Sequence, residues 1–411
     1  MSRDLCLIIA SIFAPIRGGS ATVYESLARL GGANKTAVLA SWRHYGTGEP
    51  IAGWREHDAV CGYPVTRTEL LRPVVMPPPA NRLVSAWRVV AIDLPLKVRV
   101  AWQAIGLARR YPVGVVCIGE LVSGAWLGEF LRRWFGLKLV FYVHGEEITT
   151  RYASGSFGSR RAYSLRRADA VVAVSRFTAK ALEQEMGVAP DRIVLIPNGV
   201  DLTRFSPGAD DGVLRARFSL GSGPIVLCVG RLVARKGFDQ TVRAWSVVQA
   251  AVPEARLLIV GEGEMAVELE RLAVEGGVRD RVCLAGPLSD ADLLRAYRAA
   301  SVFVMPNRTM PDGDTEGFGL VFLEANACGR AVIGGQAGGA VEAVVDGETG
   351  LLVDGYDSAA VATAIIRVLT DAELRQRLEA GGLAYALRND SAARAKTFRT
   401  MCQQLCGTLP A

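Results

Sequence analysis

The residues that could do chemistry together lie first in the stretch 314–328, which begins as a polar, glycine-spaced turn and continues as an apolar helix. Gly317 and Gly319 let the backbone approach a ligand closely, and the free amides of the first helical turn favour an anion such as phosphate. Glu316 precedes the helix and Glu324 lies two turns into it. Carboxylates at these positions accept hydrogen bonds from sugar hydroxyls. The stretch therefore indicates a site for a phosphate joined to a sugar.

Two cations stand in a second loop. Arg231 and Lys236 lie within the segment Gly230–Phe238, which joins a predicted strand to a predicted helix. Fixed cations there can hold a diphosphate and offset the negative charge that grows on it as it departs. A lone Arg and Lys pair is more often a solvated basic turn, but the strand–loop–helix placement favours the phosphate site. Arg235 is either a third cation of this site or a side chain that faces water.

The two glutamates are framed by Gly-Phe-Gly before the helix and by Glu-Ala…Ala-Cys-Gly within it. With this frame the chain resembles the Glu-x7-Glu motif of retaining glycosyltransferases of family 4, which have the two-domain GT-B fold. The resemblance covers most of the chain, with the strongest matches between Ile193 and Leu352. It implies a metal-independent, retaining transfer of a sugar from a nucleotide-diphosphate donor to a hydroxyl acceptor, without a cofactor.

The resemblance also implies roles for individual residues. Arg231 and Lys236 would bind the donor diphosphate, Glu316 and the amides of residues 317–319 the sugar, and Glu324 the ribose hydroxyls. The implied catalytic residues are Arg231, Lys236, Glu316 and His144, with no metal ligand among them. The implied donor-binding residues are Gly18, Gly19, Gly230, Gly261, Gly263, Cys283, Leu284, Gly317, Phe318, Gly319, Leu320 and Glu324.

Two of these motifs also have plain structural interpretations. Gly18-Gly19 fits a strand–helix turn with Ser20 as N-cap; in the family this loop reaches towards the donor phosphates and the acceptor. The segment 261–263, Gly-Glu-Gly, fits any tight turn, and it lacks the third glycine of a dinucleotide fingerprint, which argues against a nicotinamide enzyme. In the family it lies along the nucleotide, and the segment 282–286 presents backbone to the base.

His144 ends a predicted strand and is followed by Gly145. A single histidine is more often structural than catalytic, but this position and the family favour a contact with the transferred sugar. A general base is not needed, because the leaving phosphate can take the acceptor proton. Glu147 either holds the loop or binds the acceptor. The loop 306–314 and the Gly338-Gly339 turn with Glu342 are further candidate donor-loop features.

The elements that position these loops alternate between apolar strands and amphipathic helices. This pattern predicts an α/β protein of two doubly wound Rossmann-like domains facing across a cleft. We predict an acceptor-binding domain over 1–205 and a nucleotide-sugar-binding domain over 206–388. The resemblance to the family further implies that the helix of the C-terminal segment, 389–411, packs back on the first domain. The strands are expected at Leu5–Ser11, Val113–Ile118, Leu137–Val143, Ala170–Val174, Pro224–Gly230, Ala255–Val260, Arg281–Ala285 and Ser301–Met305.

The amino-acid composition narrows the class of protein. The 411 residues are 50% hydrophobic, which allows two sizeable cores. Eight scattered cysteines and three histidines form no metal-like cluster and predict reduced thiols in a cytoplasmic protein. The apolar run at residues 5–10 is interpreted as a first strand rather than a signal peptide. No apolar segment approaches the roughly 20 residues of a spanning helix.

Charge divides unevenly along the chain. Residues 1–205 contain 26 Lys or Arg and 16 Asp or Glu, whereas the remainder contains 21 and 25. Residues 71–115 combine seven basic residues with one acidic residue, two tryptophans and many aliphatics. One interpretation is a core-facing stripe with a solvated basic face. The other is a patch that docks on anionic lipid at the inner face of the membrane or binds a lipid-phosphate acceptor. No nucleic-acid-binding module accompanies the charge.

Several alternatives stay open at the level of sequence. A sugar-nucleotide epimerase or a phosphorylase could use the same architecture, and a non-catalytic subunit could bind nucleotide sugar or membrane. Mannose from a guanosine donor and glucose-type sugars from a uridine donor fit equally well. The basic half favours a lipid-linked or phosphorylated acceptor.

Overall fold

The structure is a computed structural model that describes residues 3–32, 35–76, 81–150 and 156–409. Seven strands form the first sheet: β1 (Leu5–Ala10), β2 (Thr36–Ser41), β3 (Val65–Thr68), β4 (Val113–Ile118), β5 (Lys138–Val143), β6 (Ala170–Ala173) and β7 (Ile193–Leu195). They are ordered β3-β2-β1-β4-β5-β6-β7, and the described pairs are parallel.

Six strands form the second sheet: β8 (Ile225–Val229), β9 (Arg256–Val260), β10 (Val282–Gly286), β11 (Val302–Met305), β12 (Ala331–Gly335) and β13 (Gly350–Val353). Their order is β10-β9-β8-β11-β12-β13, again with parallel pairs. All eight predicted strands are present, and the prediction of an α/β fold with two doubly wound sheets is confirmed.

Helices connect the strands of each sheet. Those of the first half are α1 (Gly19–Leu30), α2 (Trp54–Val60), α3 (Arg82–Arg88), α4 (Leu94–Arg110), α5 (Leu121–Phe135), α6 (Glu146–Thr149), α7 (Ser156–Arg167) and α8 (Arg176–Gln184). A π-helical turn, Val89–Asp93, joins α3 to α4, and a 3₁₀ turn, Pro190–Arg192, precedes β7.

The helices of the second half are α9 (Val213–Arg217), α10 (Phe238–Arg243), α11 (Trp245–Ala251), α12 (Ala266–Glu275), α13 (Asp290–Ala299), α14 (Leu320–Ala327), α15 (Ala340–Ala343), α16 (Ser358–Thr370), α17 (Ala372–Arg388) and α18 (Ser391–Leu405). A 3₁₀ turn, Ala234–Lys236, precedes α10.

Burial explains why the first apolar run is a strand. Every residue of β1 is buried, and its side chains alternate between two faces. Leu5, Leu7 and Ile9 pack in one core cluster, and Cys6 and Ile8 pack in the other. A strand covered on both faces reads as a continuous hydrophobic run, so the run at residues 5–10 serves the fold.

The chain passes between the two sheets twice, and the two crossings touch. The Val200 amide donates to the Asn389 carbonyl at 2.9 Å, and the Ser391 amide donates to the Val200 carbonyl at 2.9 Å. The Asp201 carboxylate accepts a hydrogen bond from the Thr203 amide in the same turn. It also pairs with Arg29 of α1 at 2.5 Å. After the second crossing α18 packs against α1, whereas α17, which precedes it, packs against α14.

Two further properties concern the helices and the cysteines. Among the described residues, no helix combines the length and the apolar character that crossing a membrane requires. All eight cysteines are free thiols.

Candidate active site

Loops from both sheets meet where their strands end. The His144 turn follows β5, and the glycine turn at residues 317–319 precedes α14. A Cβ added to Gly317 would lie 1.7 Å from the His144 carbonyl oxygen, so only glycine permits this approach. A Cβ on Gly19 would lie 3.7 Å from Leu320 Cδ1. The predicted loops of the two halves therefore face each other.

Three of the predicted site residues converge within this junction. The Lys236 ammonium pairs with the Glu316 carboxylate, and both side chains are largely buried. Burial raises the pKa of Glu316, but the charges of Lys236, Arg235 and Arg231 outweigh it and leave the pKa below its ordinary value. Glu316 is therefore ionised at neutral pH. The Arg231 side chain is 62% exposed in the cleft.

Arg235 does not face water, which corrects one of the two interpretations of the sequence. Its side chain is 10% exposed and pairs with Asp314 and Glu146, each at 2.9 Å. Asp314 belongs to the turn before α14, and Glu146 belongs to the opposite half. Arg235 thus lies together with Arg231 and Lys236. We call these three side chains the cation cluster.

Glu146 links the first half to the cation cluster and was not identified from the sequence. Its carboxylate lies 3.2 Å from Arg231 and 2.9 Å from Arg235. Burial raises its pKa, but Arg235 and Arg231 outweigh that effect and hold the pKa below its usual value. An ionised carboxylate therefore pairs with Arg231, one of the two cations predicted to hold a diphosphate, and with Arg235. Its place directly after His144-Gly145, at the end of β5, was the one sequence signal for it.

His144 is held by a hydrogen-bond chain. Its Nε2 lies 2.7 Å from the Tyr24 hydroxyl, which donates to the Gly119 carbonyl at 2.6 Å. Because Tyr24 has one proton and gives it to Gly119, the hydrogen between Tyr24 and His144 belongs to Nε2. Burial lowers the pKa of His144 to about 4, so the ring is neutral at pH 7. This tautomer leaves Nδ1 as an acceptor.

Glu147 holds the loop, which answers the question that the sequence left open. Its carboxylate accepts hydrogen bonds from the His144 and Gly145 amides at 3.2 and 3.1 Å. Burial and the neighbouring Glu146 charge raise its pKa to about 7. These contacts fix the turn that presents His144 and Glu146 to the cleft.

Glu324 lies on a separate cavity between the halves. Leu320 and Glu324 form one side, and residues of α1 and of the connection at residues 199–205 form the other; the volume is about 220 Å³. The Tyr297 hydroxyl donates to Glu324 at 2.7 Å. Burial raises the pKa of Glu324. The second carboxylate oxygen remains able to accept a hydroxyl from a ligand in the cavity.

The predicted glycine and backbone positions are distributed around this centre. A Cβ on Gly261 would lie 1.9 Å from the Gly230 carbonyl, so this glycine serves the packing of two loops. Gly263 packs in the same way on the Leu232 backbone. Phe318 is buried in the core, which leaves its amide as the group to face a ligand. Cys283 and Leu284 lie in the edge strand β10, whose Gly286 carbonyl accepts from the Gly261 amide.

Several other candidates take part in contacts that position helices or loops. Gly18, not Ser20, is the N-cap of α1, because the helix begins at Gly19. The Arg308 side chain is buried and pairs with Asp239 at 3.0 Å. Glu342 accepts from the Arg176 and Phe177 amides at 2.9 Å each, and so caps α8 of the other half. Within the described ranges, no group of three or more His, Cys, Asp or Glu residues could hold a metal ion.

Comparison with known proteins identifies the family. The model described as "Glycosyltransferase Family 4" matches residues 60–204, and "Glycosyl transferases group 1" matches residues 214–383. A GDP-mannose-dependent alpha-(1-6)-phosphatidylinositol monomannoside mannosyltransferase of Mycolicibacterium smegmatis is 35% identical over 316 residues, which are 74% of this chain and 81% of the relative. A D-inositol 3-phosphate glycosyltransferase of Acidothermus cellulolyticus is 39% identical over 289 residues, covering 65% of this chain and 62% of the relative.

Solved structures agree on the fold. Sucrose-phosphate synthase of Thermosynechococcus elongatus superposes with a TM-score of 0.77 at 26% identity, over 99% of this chain and 100% of that one. HepE of Anabaena, solved with UDP and glucose, gives 0.76 at 20% identity, over 97% and 99%. Two facing parallel sheets with these neighbours define a GT-B glycosyltransferase. The chain belongs to glycosyltransferase family 4, which confirms the resemblance that the motifs indicated.

Proposed function

We propose that the protein transfers mannose from GDP-mannose to an inositol hydroxyl of a phosphoinositide lipid or an inositol phosphate, with retention and without a metal ion. Glycosyltransferase activity follows from the family. The donor, the acceptor and the mechanism are the proposed parts.

One observation carries the proposal. Arg231, Arg235 and Lys236 converge beside Glu316, and the His144 turn of the other half closes over them. Cations at that point suit a diphosphate, because charge-assisted hydrogen bonds to phosphate oxygens are stronger than neutral ones. A carboxylate beside them suits sugar hydroxyls. The arrangement supports a sugar joined to a diphosphate in preference to either group alone.

The chemical step needs little from the enzyme beyond position and charge. The bond between the anomeric carbon and the leaving phosphate breaks, and the acceptor oxygen bonds to the same face of that carbon. The leaving phosphate takes the acceptor proton, so the products are a nucleoside diphosphate and a glycoside. Arg231 and Lys236 stabilise the charge that develops on the phosphate. The neutral His144 accepts a hydroxyl hydrogen bond from the sugar at Nδ1.

The choice of substrates rests on the relatives. Both named relatives act on inositol compounds, and one is GDP-mannose-dependent. An inositol acceptor that carries a phosphate also agrees with the basic first half. A lipid acceptor would bring the protein to the cytoplasmic surface of a membrane. An epimerase or a phosphorylase finds no support among these relatives, and neither does a non-catalytic subunit.

Transfer of radiolabelled mannose tests the proposal. Purified protein is incubated with GDP-mannose or UDP-glucose and with phosphatidylinositol, inositol phosphate or a non-inositol lipid. We expect labelled product from GDP-mannose with an inositol acceptor, undiminished by EDTA, and an α-linked product by NMR. Exclusive use of UDP-glucose would overturn the proposed donor. Dependence on added metal would overturn the metal-independent mechanism, and a β-linked product would overturn retention. Failure with every inositol acceptor would overturn the acceptor class.

A further inference from the structure

One long helix of the first half carries an exposed apolar stripe. Residues 82–110 form a continuous helix of α3, the π-helical turn and α4. Its most exposed large side chains include Trp87, 62% exposed, and Trp102, 76% exposed. The members of the stripe recur every three or four residues and are each more than half exposed: Leu83, Trp87, Val90, Leu94, Val98 and Trp102. This spacing puts them on one side of a helix. We call them the apolar stripe.

The C-terminal end of this helix is buried in the core. Val100, Ala104 and Leu107 are buried, whereas α3 and the π-helical turn bury none of their residues. The apolar stripe spans 83–102, or about 28 Å at about 1.5 Å per residue. Soluble monomers rarely leave so large a contiguous apolar surface in water, and such a patch marks a contact site.

Charge identifies the kind of partner. Residues 82–110 contain six basic residues and one acidic residue, Asp93. Arg82, Lys97 and Arg99 are exposed on this helix, although Arg99 also pairs with Glu69 at 3.0 Å. A helix with tryptophan and aliphatic side chains along one stripe and cations beside it fits the headgroup boundary of an anionic bilayer. Tryptophan is enriched at that boundary, and each nearby cation adds attraction to anionic lipid.

We propose that the apolar stripe lies in the surface of an anionic membrane. The helix is anchored beside the reaction cleft, because Val100 lines a small cavity with Ile9, Ser11 and Glu120. Ser11 and Glu120 follow β1 and β4, at the end of the sheet that carries the Gly19 and His144 loops. Docking through the stripe would therefore bring the open end of the cleft to the bilayer. The surface gives the proposed lipid acceptor a route to the site and so rests on that proposed function, but its test needs no turnover.

Vesicle co-sedimentation tests the surface. The full chain is mixed with vesicles of equal parts phosphatidylglycerol and phosphatidylcholine, or of phosphatidylcholine alone. We expect binding to the anionic vesicles that salt weakens, and a loss of roughly tenfold or more in the double variant Trp87→Ser/Trp102→Ser. Val267→Ser/Leu387→Ser is the matched control, because both side chains are exposed apolar groups on the second half. Circular dichroism checks that each variant is folded.

Other outcomes decide against the proposal. Equal binding by wild type and the tryptophan variant would overturn it, as would equal binding to neutral vesicles or no binding at all. A concentration-dependent dimer in analytical ultracentrifugation that the tryptophan variant abolishes, without vesicle binding, would assign the stripe to a second copy of the chain. Transfer to soluble inositol phosphate should be unchanged in the tryptophan variant. If the wild type does not transfer mannose to soluble inositol phosphate, that result would count against the proposed function and not against the docking surface.

Discussion

Replacing Glu146 by Gln is the most informative perturbation of the site. The Glu146 carboxylate pairs with Arg231 at 3.2 Å and with Arg235 at 2.9 Å. A donor diphosphate directed to the same guanidinium groups must displace or share this carboxylate. The variant keeps the side-chain shape and removes the charge, so we expect GDP to bind more tightly.

The two ion pairs set the size of the effect. Exposed pairs of this kind are worth about 0.2 to 1 kcal/mol each. Two pairs therefore oppose donor binding by about 0.4 to 2 kcal/mol, which corresponds to about a 2- to 30-fold change in Kd. Arg235 is only 10% exposed, which favours the upper part of that range. Because Arg235 and Arg231 hold the pKa of Glu146 below its usual value, the competing charge is present at neutral pH.

Isothermal titration of GDP into the wild type and Glu146→Gln measures this difference. Glu268→Gln is the matched control, because Glu268 also pairs with an arginine, Arg271, on the surface outside the cleft. The difference in GDP affinity between Glu146→Gln and the wild type should decrease as the salt concentration rises, since screening weakens exposed charge interactions. An unchanged Kd would refute competition between Glu146 and the diphosphate. A weaker Kd would show instead that Glu146 orients the arginines for the phosphates.

Three further predictions concern neighbouring groups. Lys236→Ala should lower the free energy of unfolding by about 3 kcal/mol, because Glu316 is left as an unpaired, largely buried charge. Adding Glu316→Gln to this variant should restore the Tm but should not restore glycosyl transfer. An unchanged Tm in Lys236→Ala would contradict the pairing. Glu324→Ala should raise the Kd for GDP about tenfold through loss of ribose hydrogen bonds, whereas an unchanged Kd would exclude that contact. Tyr24→Phe should lower kcat about tenfold by leaving Nε2–H of His144 without its acceptor; ¹⁵N NMR of the wild type should show the Nε2–H tautomer, and an Nδ1–H ring would be contrary evidence.

The pH dependence of stability has a definite sign at His144. Burial lowers its folded-state pKa to about 4, against 6.5 for an ordinary histidine. Between these values the unfolded chain binds the proton and the folded chain does not. The contribution of His144 to the free energy of unfolding should therefore fall as the pH is lowered from 6.5 towards 4. Denaturant titrations should show a smaller fall in His144→Gln, and an equal fall in both proteins would contradict the buried neutral ring.

Much of the fold could be predicted because buried parallel strands are continuous apolar runs. The eight predicted strands have this character, and the structure contains all of them. Three of the strands not predicted lacked a continuous apolar run: β7 has three residues and is partly exposed, β3 has one apolar residue, Val65, and β12 ends in two glycines. Glycine shortens the apolar run and suggests a turn, so β12 could not be separated from the loop that follows it.

The site was predictable only where chemistry and chain position coincide. Arg231, Lys236 and Glu316 stand next to glycine turns at strand ends, and the structure brings them together. The partners of Arg235 could not be foreseen, because Asp314 and Glu146 lie 79 and 89 residues away in the chain. The hydrogen bond between Tyr24 and His144 could not be predicted either, because the two residues are far apart in the chain. An ion pair or hydrogen bond between distant segments is set by packing, and no local spacing encodes it.

The central claim is that the cation cluster holds the diphosphate of the donor. The most direct measurement compares GDP and GMP binding by titration in the wild type and in Arg231→Ala, with Arg271→Ala as the matched surface control. The wild type should prefer GDP by about tenfold or more, and Arg231→Ala should narrow that preference through loss of a charge-assisted hydrogen bond. An equal preference in the wild type and Arg231→Ala would contradict the claim.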